Sequence, residues 1–217
     1  MQEDWSKGLQ SVSSAEELRS LLGPVMKRAL TRVRSELHPV DIQWLNASPF
    51  CFVGTASADG DCDVSPKGDP AGFLKVLDKR TLAIPERPGN RRGDGFFNVL
   101  SNPHAGIISL IPGRDDTLRV NGKARIIKDA PFFDSMRVGG HRPKLALLLE
   151  VEQVFYHCSK AFLRAELWSP TTWAPHELPS RAALVKAAED TETPLSELEA
   201  FYGPGYERRL YNDDPGN

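Results

Sequence analysis

Three cysteines in 217 residues, Cys51, Cys62 and Cys158, cannot build a disulfide scaffold, because the count is odd and no two lie close together. The turn at Asp59-Gly60 sets a register that places Ser57, not Cys51, opposite Cys62. No His/Cys spacing suits zinc, and His157 and Cys158 are adjacent, so on a strand they face opposite ways; no metal site is expected. No apolar run approaches the roughly 18 residues a membrane span needs. Met1 to Trp5 is acidic and lacks an apolar signal core, which suggests a cytoplasmic protein. A formal net charge of −2 argues against general nucleic-acid binding. There is no Gly-x-Gly-x-x-Gly, hence no dinucleotide domain. Internal repeats and low-complexity tracts are also lacking.

What is present reads as helices around a β core. Ser14 to Glu17 has the form of a capping box before Leu18, Leu21 and Leu22. Val25, Leu30, Val33 and Leu37 predict a second helix beginning at Pro24, and Val40–Leu45 a third. From Pro49 the pattern turns to β. Strands are predicted over 50–56, 62–65, 72–77, 81–84, 104–111, 117–126 and 145–155. Pro66 to Pro70 reads as a loop. The clearest alternation sets Leu118, Val120, Gly122, Ala124 and Ile126 against Thr117, Arg119, Asn121, Lys123 and Arg125. Short helices are expected after Ser159, over 181–188 and over 194–202, with a frayed end from Asn212. The fold class is therefore α+β, an antiparallel barrel with flanking helices. The segments are 1–47 (helices packing on the barrel), 48–168 (barrel core) and 169–217 (a helical extension).

The chemistry centres on Arg87-Pro88-Gly89-Asn90-Arg91-Arg92. Pro88-Gly89 makes a turn. Asn90 reads as the N-cap of a helix whose first turn holds Arg91 and Arg92. Free N–H groups and two guanidiniums there suit a phosphate. An exposed basic turn with surface ion pairs is the alternative.

The stretch from Ser48 to Arg164 resembles the pyridoxamine 5′-phosphate oxidase-like superfamily of FMN-binding split β-barrels. Asn102-Pro103 with its following strand, and Val120-Asn121-Gly122-Lys123-Ala124, are similar to the family's Asn-Pro strand and Val-x-Gly-x-Ala strand. Asn90-Arg91-Arg92 stands where the family has Ser-Arg-Lys. Asp63 to Asp69, Arg87 to Arg92 and Thr117 to Gly122 together look like one bacterial branch of that superfamily. The resemblance implies an antiparallel split barrel and a homodimer with two FMN sites at its interface.

Under that resemblance Arg91 and Arg92 clamp the flavin phosphate and Asn90 caps. Lys67 is a second cation, with Lys75 its rival, and Ser65 is a hydroxyl near the flavin. Ile84 and Pro85 line the ring. Glu86 pairs with an arginine, and Pro85 leaves any backbone donor to a neighbour. Thr117 donates to the flavin, while Arg119 and Arg87 reach the phosphate or the dimer interface. Surface or structural roles for Lys67, Thr117 and Arg119 remain open. His157, Cys158 and Lys160 either approach the open flavin face or are a buried cysteine and an exposed histidine. The tail, Pro204 to Asp214, has no Arg-x-His segment, which argues against vitamin B6 oxidation.

The implied function is an FMN-dependent oxidoreductase passing electrons from NAD(P)H to a small organic acceptor or oxygen. No catalytic acid or base is assigned, because a flavin supplies the hydride chemistry. The alternatives are a non-catalytic flavin-binding or flavin-sequestering protein, or a related barrel that holds deazaflavin or haem. Trp168 or Trp173 stacked over the flavin would favour binding over catalysis.

Overall fold

In a computed structural model, residues 6–189 and 191–211 are described. The expectations at Met1–Trp5 and Asn212–Asn217 lie outside them. In chain order the elements are α1 (Ala15–Leu22), α2 (Lys27–Leu30), α3 (Pro39–Ala47), β1 (Phe50–Ala56), β2 (Cys62–Gly68), β3 (Lys75–Asp78) and β4 (Thr81–Pro85). There follow α4 (Asp94–Ser101), β5 (His104–Leu110), β6 (Thr117–Ile127), a 3-10 turn at Pro131–Met136 and β7 (Ala146–His157). Short helices α5 (Lys160–Arg164), α6 (Arg181–Ala188) and α7 (Leu195–Phe201) close the chain.

Two compact units divide after Val33, so α3 belongs to the barrel's unit. In the leading unit the Ser14 hydroxyl accepts the Glu17 N–H, as expected. Glu17 reaches back to Ser13, not to Ser14. The predicted second helix is only α2. Its stripe residues Val25, Leu30 and Val33 are exposed. The stripe fails because Arg34 leaves it, exchanging two backbone hydrogen bonds with Val154. Leu37 then enters the barrel core, 1% exposed.

The second unit is built on one antiparallel seven-stranded sheet, ordered β2-β1-β5-β6-β7-β4-β3. It is the antiparallel split barrel with flanking helices. β2 and β3 are its edges, unpaired to each other. Apolar alternation curls the sheet around a core that includes Leu45, Val53, Leu82, Ile84, Ile107, Leu118, Val120, Leu149 and Val154. β7 is buried on both faces near its start, because Ala146 and Leu148 pack with Phe133 and Met136 in a second cluster.

Three local differences shape the site. β2 runs through Pro66 to Gly68 where a loop was expected. An edge strand tolerates a residue with no N–H. The β1–β2 register sets Ala56, not Ser57, opposite Cys62, and Cys51 opposite Lys67. On β6 a bulge falls between Asn121 and Gly122. A Cβ at Gly122 would stand 1.8 Å from the Glu150 carbonyl oxygen, so only glycine fits.

Candidate functional site: two adjoining cavities at the end of β4

β4 ends at Pro85, and the chain then crosses to α4 through the arginine-rich turn. α4 begins at Asp94 with Gly93 as its N-cap. Asn90 is therefore not the cap, and Arg91 and Arg92 precede the helix. The Asn90 side chain instead accepts the Arg92 N–H at 3.1 Å, forming a local turn. Arg91 is held at φ 60°, a left-handed conformation costly for a residue with a Cβ, by roughly 1–3 kcal/mol.

This turn separates two cavities. The larger, about 710 Å³, is walled by Arg87, Asn90, Arg91, His141, Arg142, Lys144 and Tyr211 among others. The smaller, about 310 Å³, is walled by Thr55, Asp63, Ser65, Lys67, Ile84, Arg92 and Asp94 among others. Glu86, Asn90, Gly93 and Phe96 line both.

Most of the cations here already hold carboxylates. Lys67 bonds Glu86, so Glu86 pairs with a lysine and not with an arginine. The Lys67 ammonium also lies 5.5 Å from the Phe96 ring centre. Arg92 bonds Asp94 at 2.8 Å with its side chain 72% exposed, a solvent-screened pair of small energetic weight. The Glu86 N–H donates to the Leu145 carbonyl, so it is not the backbone donor that Pro85 lacks. Pro85 itself is buried and pairs with Ala146.

Arg87 is the most enclosed cation. Its Nε donates to Asp69 at 2.6 Å and its Nη2 to the Met136 carbonyl at 2.7 Å. Its Nη1 is buried with no partner among the described residues. The Asp69 side chain is 1% exposed and also accepts the Tyr211 hydroxyl at 2.6 Å. Burial and this carboxylate raise the Tyr211 pKa. The Tyr211 ring stacks on His141 at 5.7 Å. Chain contacts 142 residues apart thus bring the C-terminal segment to the larger cavity.

Asp63 is a site residue that the sequence reading passed over. It accepts the Ser65 hydroxyl at 2.7 Å and sits against the first turn of α4, where a Cβ on Gly95 would lie 2.9 Å from its Oδ2. Its signal was available: Asp63 opens one of the stretches on which the resemblance rests. His141, Arg142, Lys144 and Tyr211 carried no such signal, since only folding brings them to the turn.

Seven of the ten expected residues line the two cavities: Ser65, Lys67, Ile84, Arg87, Asn90, Arg91 and Arg92. Pro85 lies behind them. Thr117 and Arg119 line neither. Lys75 lines a separate groove with Ile42 and Asn46. Thr117 is buried and paired with His157 on the outer face of the sheet. Arg119 lies 4.1 Å from the Phe155 ring centre, its Nε buried without a partner among the described residues. Burial lowers its pKa. His157 is half-buried with its Nε2 also unpartnered, whereas Cys158 is exposed, the reverse of the expected pair. Neither these two nor Lys160 lines either of the two cavities. Trp168 and Trp173 donate to the carbonyls of Arg114 and Leu167, and neither lines either of the two cavities.

The donor set and size suit a cofactor with a terminal phosphate. The cavities fall in the range of about 300–1,000 Å³ usual for small-molecule sites. The unpartnered Arg87 Nη1 lacks an acceptor that an anion would supply.

The family model for pyridoxamine 5′-phosphate oxidase matches residues 41–158, more than half of the chain, and the chain belongs to that family. Membership implies an FMN-binding fold. Among solved structures, HupZ from Group A Streptococcus is similar at 21% identity, covering 55% of this chain and 93% of that one, with a TM-score of 0.44. An oxidase-like protein from Lactobacillus delbrueckii is 20% identical over 58% of this chain and 99% of that one, with a TM-score of 0.45. HutZ from Vibrio cholerae, described as a heme storage protein, is 12% identical over 56% and 93%, with a TM-score of 0.38. No curated protein matches. No helix of the described residues is long and apolar enough to cross a membrane.

Proposed function

We propose that this protein is a flavin-binding protein that holds FMN in the two adjoining cavities beside β4. The carrying observation is the convergence of Ser65, Lys67, Ile84, Arg87, Asn90, Arg91 and Arg92 on one pair of cavities with a shared wall. Ile84 and Phe96 offer apolar surface to a ring, and Arg87 and Arg91 offer charge to a phosphate. When bound, the flavin supplies one- and two-electron redox chemistry. The chain's own residues bind, orient and shield it. Tyr211, fixed to Asp69 at the larger cavity, favours holding a ligand over rapid exchange with solvent.

The second reading is an NAD(P)H-linked oxidoreductase. It is favoured by the volume of the larger cavity, which leaves room for an acceptor beside the flavin. No side chain is assigned as its acid or base.

The proposed unit is a homodimer formed through the outer face of the sheet. Register aligns Pro66, Phe52, Ile108, Arg119 and Phe155 in one row across five strands. Phe52 and Ile108 are 42% and 38% exposed there. A partner would cover this row and give the unpartnered Arg119 Nε and His157 Nε2 something to bond. Thr117 and Arg119 would then serve the partner's flavin site.

An absorption spectrum of the purified protein, followed by acid release of the chromophore, tests this reading. Bands near about 370 and 450 nm with FMN released are expected. A protein that is colourless and fails to take up added FMN would refute it. A Soret band or a released deazaflavin would replace FMN with that cofactor.

A further inference from the structure

Two segments far apart in the chain meet at the larger cavity. In the first, Val138 and His141 exchange two backbone hydrogen bonds, at 3.2 and 2.9 Å, around Gly139 and Gly140. Both glycines have positive φ, 54° and 83°, as a two-residue hairpin turn requires. Gly140 and His141 line the cavity and are also exposed, so the hairpin stands between the cavity and solvent. The second is the C-terminal segment, in which no residue from 203 to 211 is buried. Its Tyr211 lines the same cavity. The Tyr211 ring stacks on His141 at 5.7 Å, the planes 21° apart, and its hydroxyl donates to Asp69 at 2.6 Å.

Arg87 ties both segments to one post. Its Nε donates to Asp69, the acceptor of the Tyr211 hydroxyl, and its Nη2 to the Met136 carbonyl, two residues before the hairpin. The guanidinium also lies 5.7 Å from the Tyr211 ring centre. The root of the hairpin is thus fixed. Tyr211 is held by ring contacts and one hydroxyl bond on an otherwise exposed segment, and such contacts open far more readily than a sheet.

We propose that the Val138–His141 hairpin and the C-terminal segment are the two halves of a gate over the larger cavity, latched where Tyr211 stacks on His141 and bonds Asp69. A ligand enters and leaves when Tyr211 lets go. The latch is made of the chain's own groups, so it sets the rate of exchange and not the affinity. Opening a gate raises association and dissociation rates together, whereas losing a ligand contact raises dissociation chiefly. Only the choice of FMN as the probe rests on the flavin reading.

Hydrogen–deuterium exchange tests the latch without any ligand, and stopped-flow flavin fluorescence with FMN tests the gate. Tyr211→Ala removes ring and hydroxyl, and Tyr211→Phe the hydroxyl alone. His141→Ala breaks the stack from the other half and leaves Asp69 with both its partners, which keeps the test open if a Tyr211 variant misfolds. In Tyr211→Ala, amide exchange over residues 136–142 should rise about 3- to 30-fold, although nothing there has been replaced. FMN association and dissociation should quicken by a similar factor, with Kd held within about twofold. Tyr211→Phe should show a smaller rise of the same kind. His141→Ala should match Tyr211→Ala, and His141→Phe, which keeps a ring to stack on, should stay slow. Unchanged amide exchange in the two alanine variants overturns the proposal. So does faster dissociation alone, which would make these side chains ligand contacts. A wild type that takes up no FMN ends the flavin reading, and amide exchange then decides the gate by itself.

Discussion

Arg87 and Arg119 each bury a guanidinium nitrogen that has no partner among the described residues, yet their surroundings differ. Arg87 stands at a cavity wall with a nearly inaccessible carboxylate, Asp69, holding its other edge. Arg119 stands on the outer face of the sheet, over the Phe155 ring, and burial lowers its pKa. A paired arginine beside a cavity is organised to receive a ligand. An unpaired arginine on a half-exposed apolar row awaits a covering surface. The first belongs to the proposed cofactor site and the second to the proposed interface.

The largest effect should come from breaking the Arg87 side. Asp69→Ala strands a buried guanidinium and releases Tyr211. Removing one partner of such a pair costs about 3–5 kcal/mol, read as a lowered midpoint in urea. Restoration of most of that loss in Asp69→Asn would mean that hydrogen bonding, not charge, holds the contact.

Charging the outer row is the next test. Phe52→Asp should convert the proposed dimer to monomer in sedimentation, with secondary structure intact, because Phe52 is not part of the buried core. A wild type that is already monomeric at micromolar concentration would end the interface reading.

Arg119→Met sharpens the contrast. It replaces an unpaired, half-buried cation with an apolar chain of similar reach. The isolated chain should unfold at the same temperature or higher, since Arg119 has no ion pair among the described residues. Any loss should appear in dimer affinity or flavin retention instead.

The smallest effect is the pH dependence at His157. Burial, with Arg119 adding to it, holds its pKa below the ordinary 6.5. The unfolded chain therefore takes up a proton at about pH 6.5 that the folded chain refuses. His157 costs nothing above that pH, and stability declines as pH falls from there toward the folded pKa. His157→Gln should flatten this part of the curve. An unchanged slope would show that other groups carry it.

Local pattern made much of this legible. The β6 alternation and the turn after Pro85 each follow from side-chain period or backbone chemistry. The second helix misled because its apolar spacing is real, but Arg34 obtains its hydrogen bonds from Val154, far along the chain. Asn90 misled because asparagine caps helices and also closes local turns, and Gly93 was better placed to start α4. Thr117 looked like a surface residue by alternation, but it lies opposite His157 and is buried.

The sequence by itself determined the class: an antiparallel barrel of period-2 strands, and a basic turn at the end of one of them. Both rest on interactions within a few residues. Only the tertiary structure decided which cations share a cavity, which carboxylates oppose them and what closes the opening. Asp63, Arg142, Lys144 and Tyr211 meet the Arg87–Arg92 turn from separate parts of the chain. Charge acts through space, so which carboxylate holds which cation was settled only after the strands had paired.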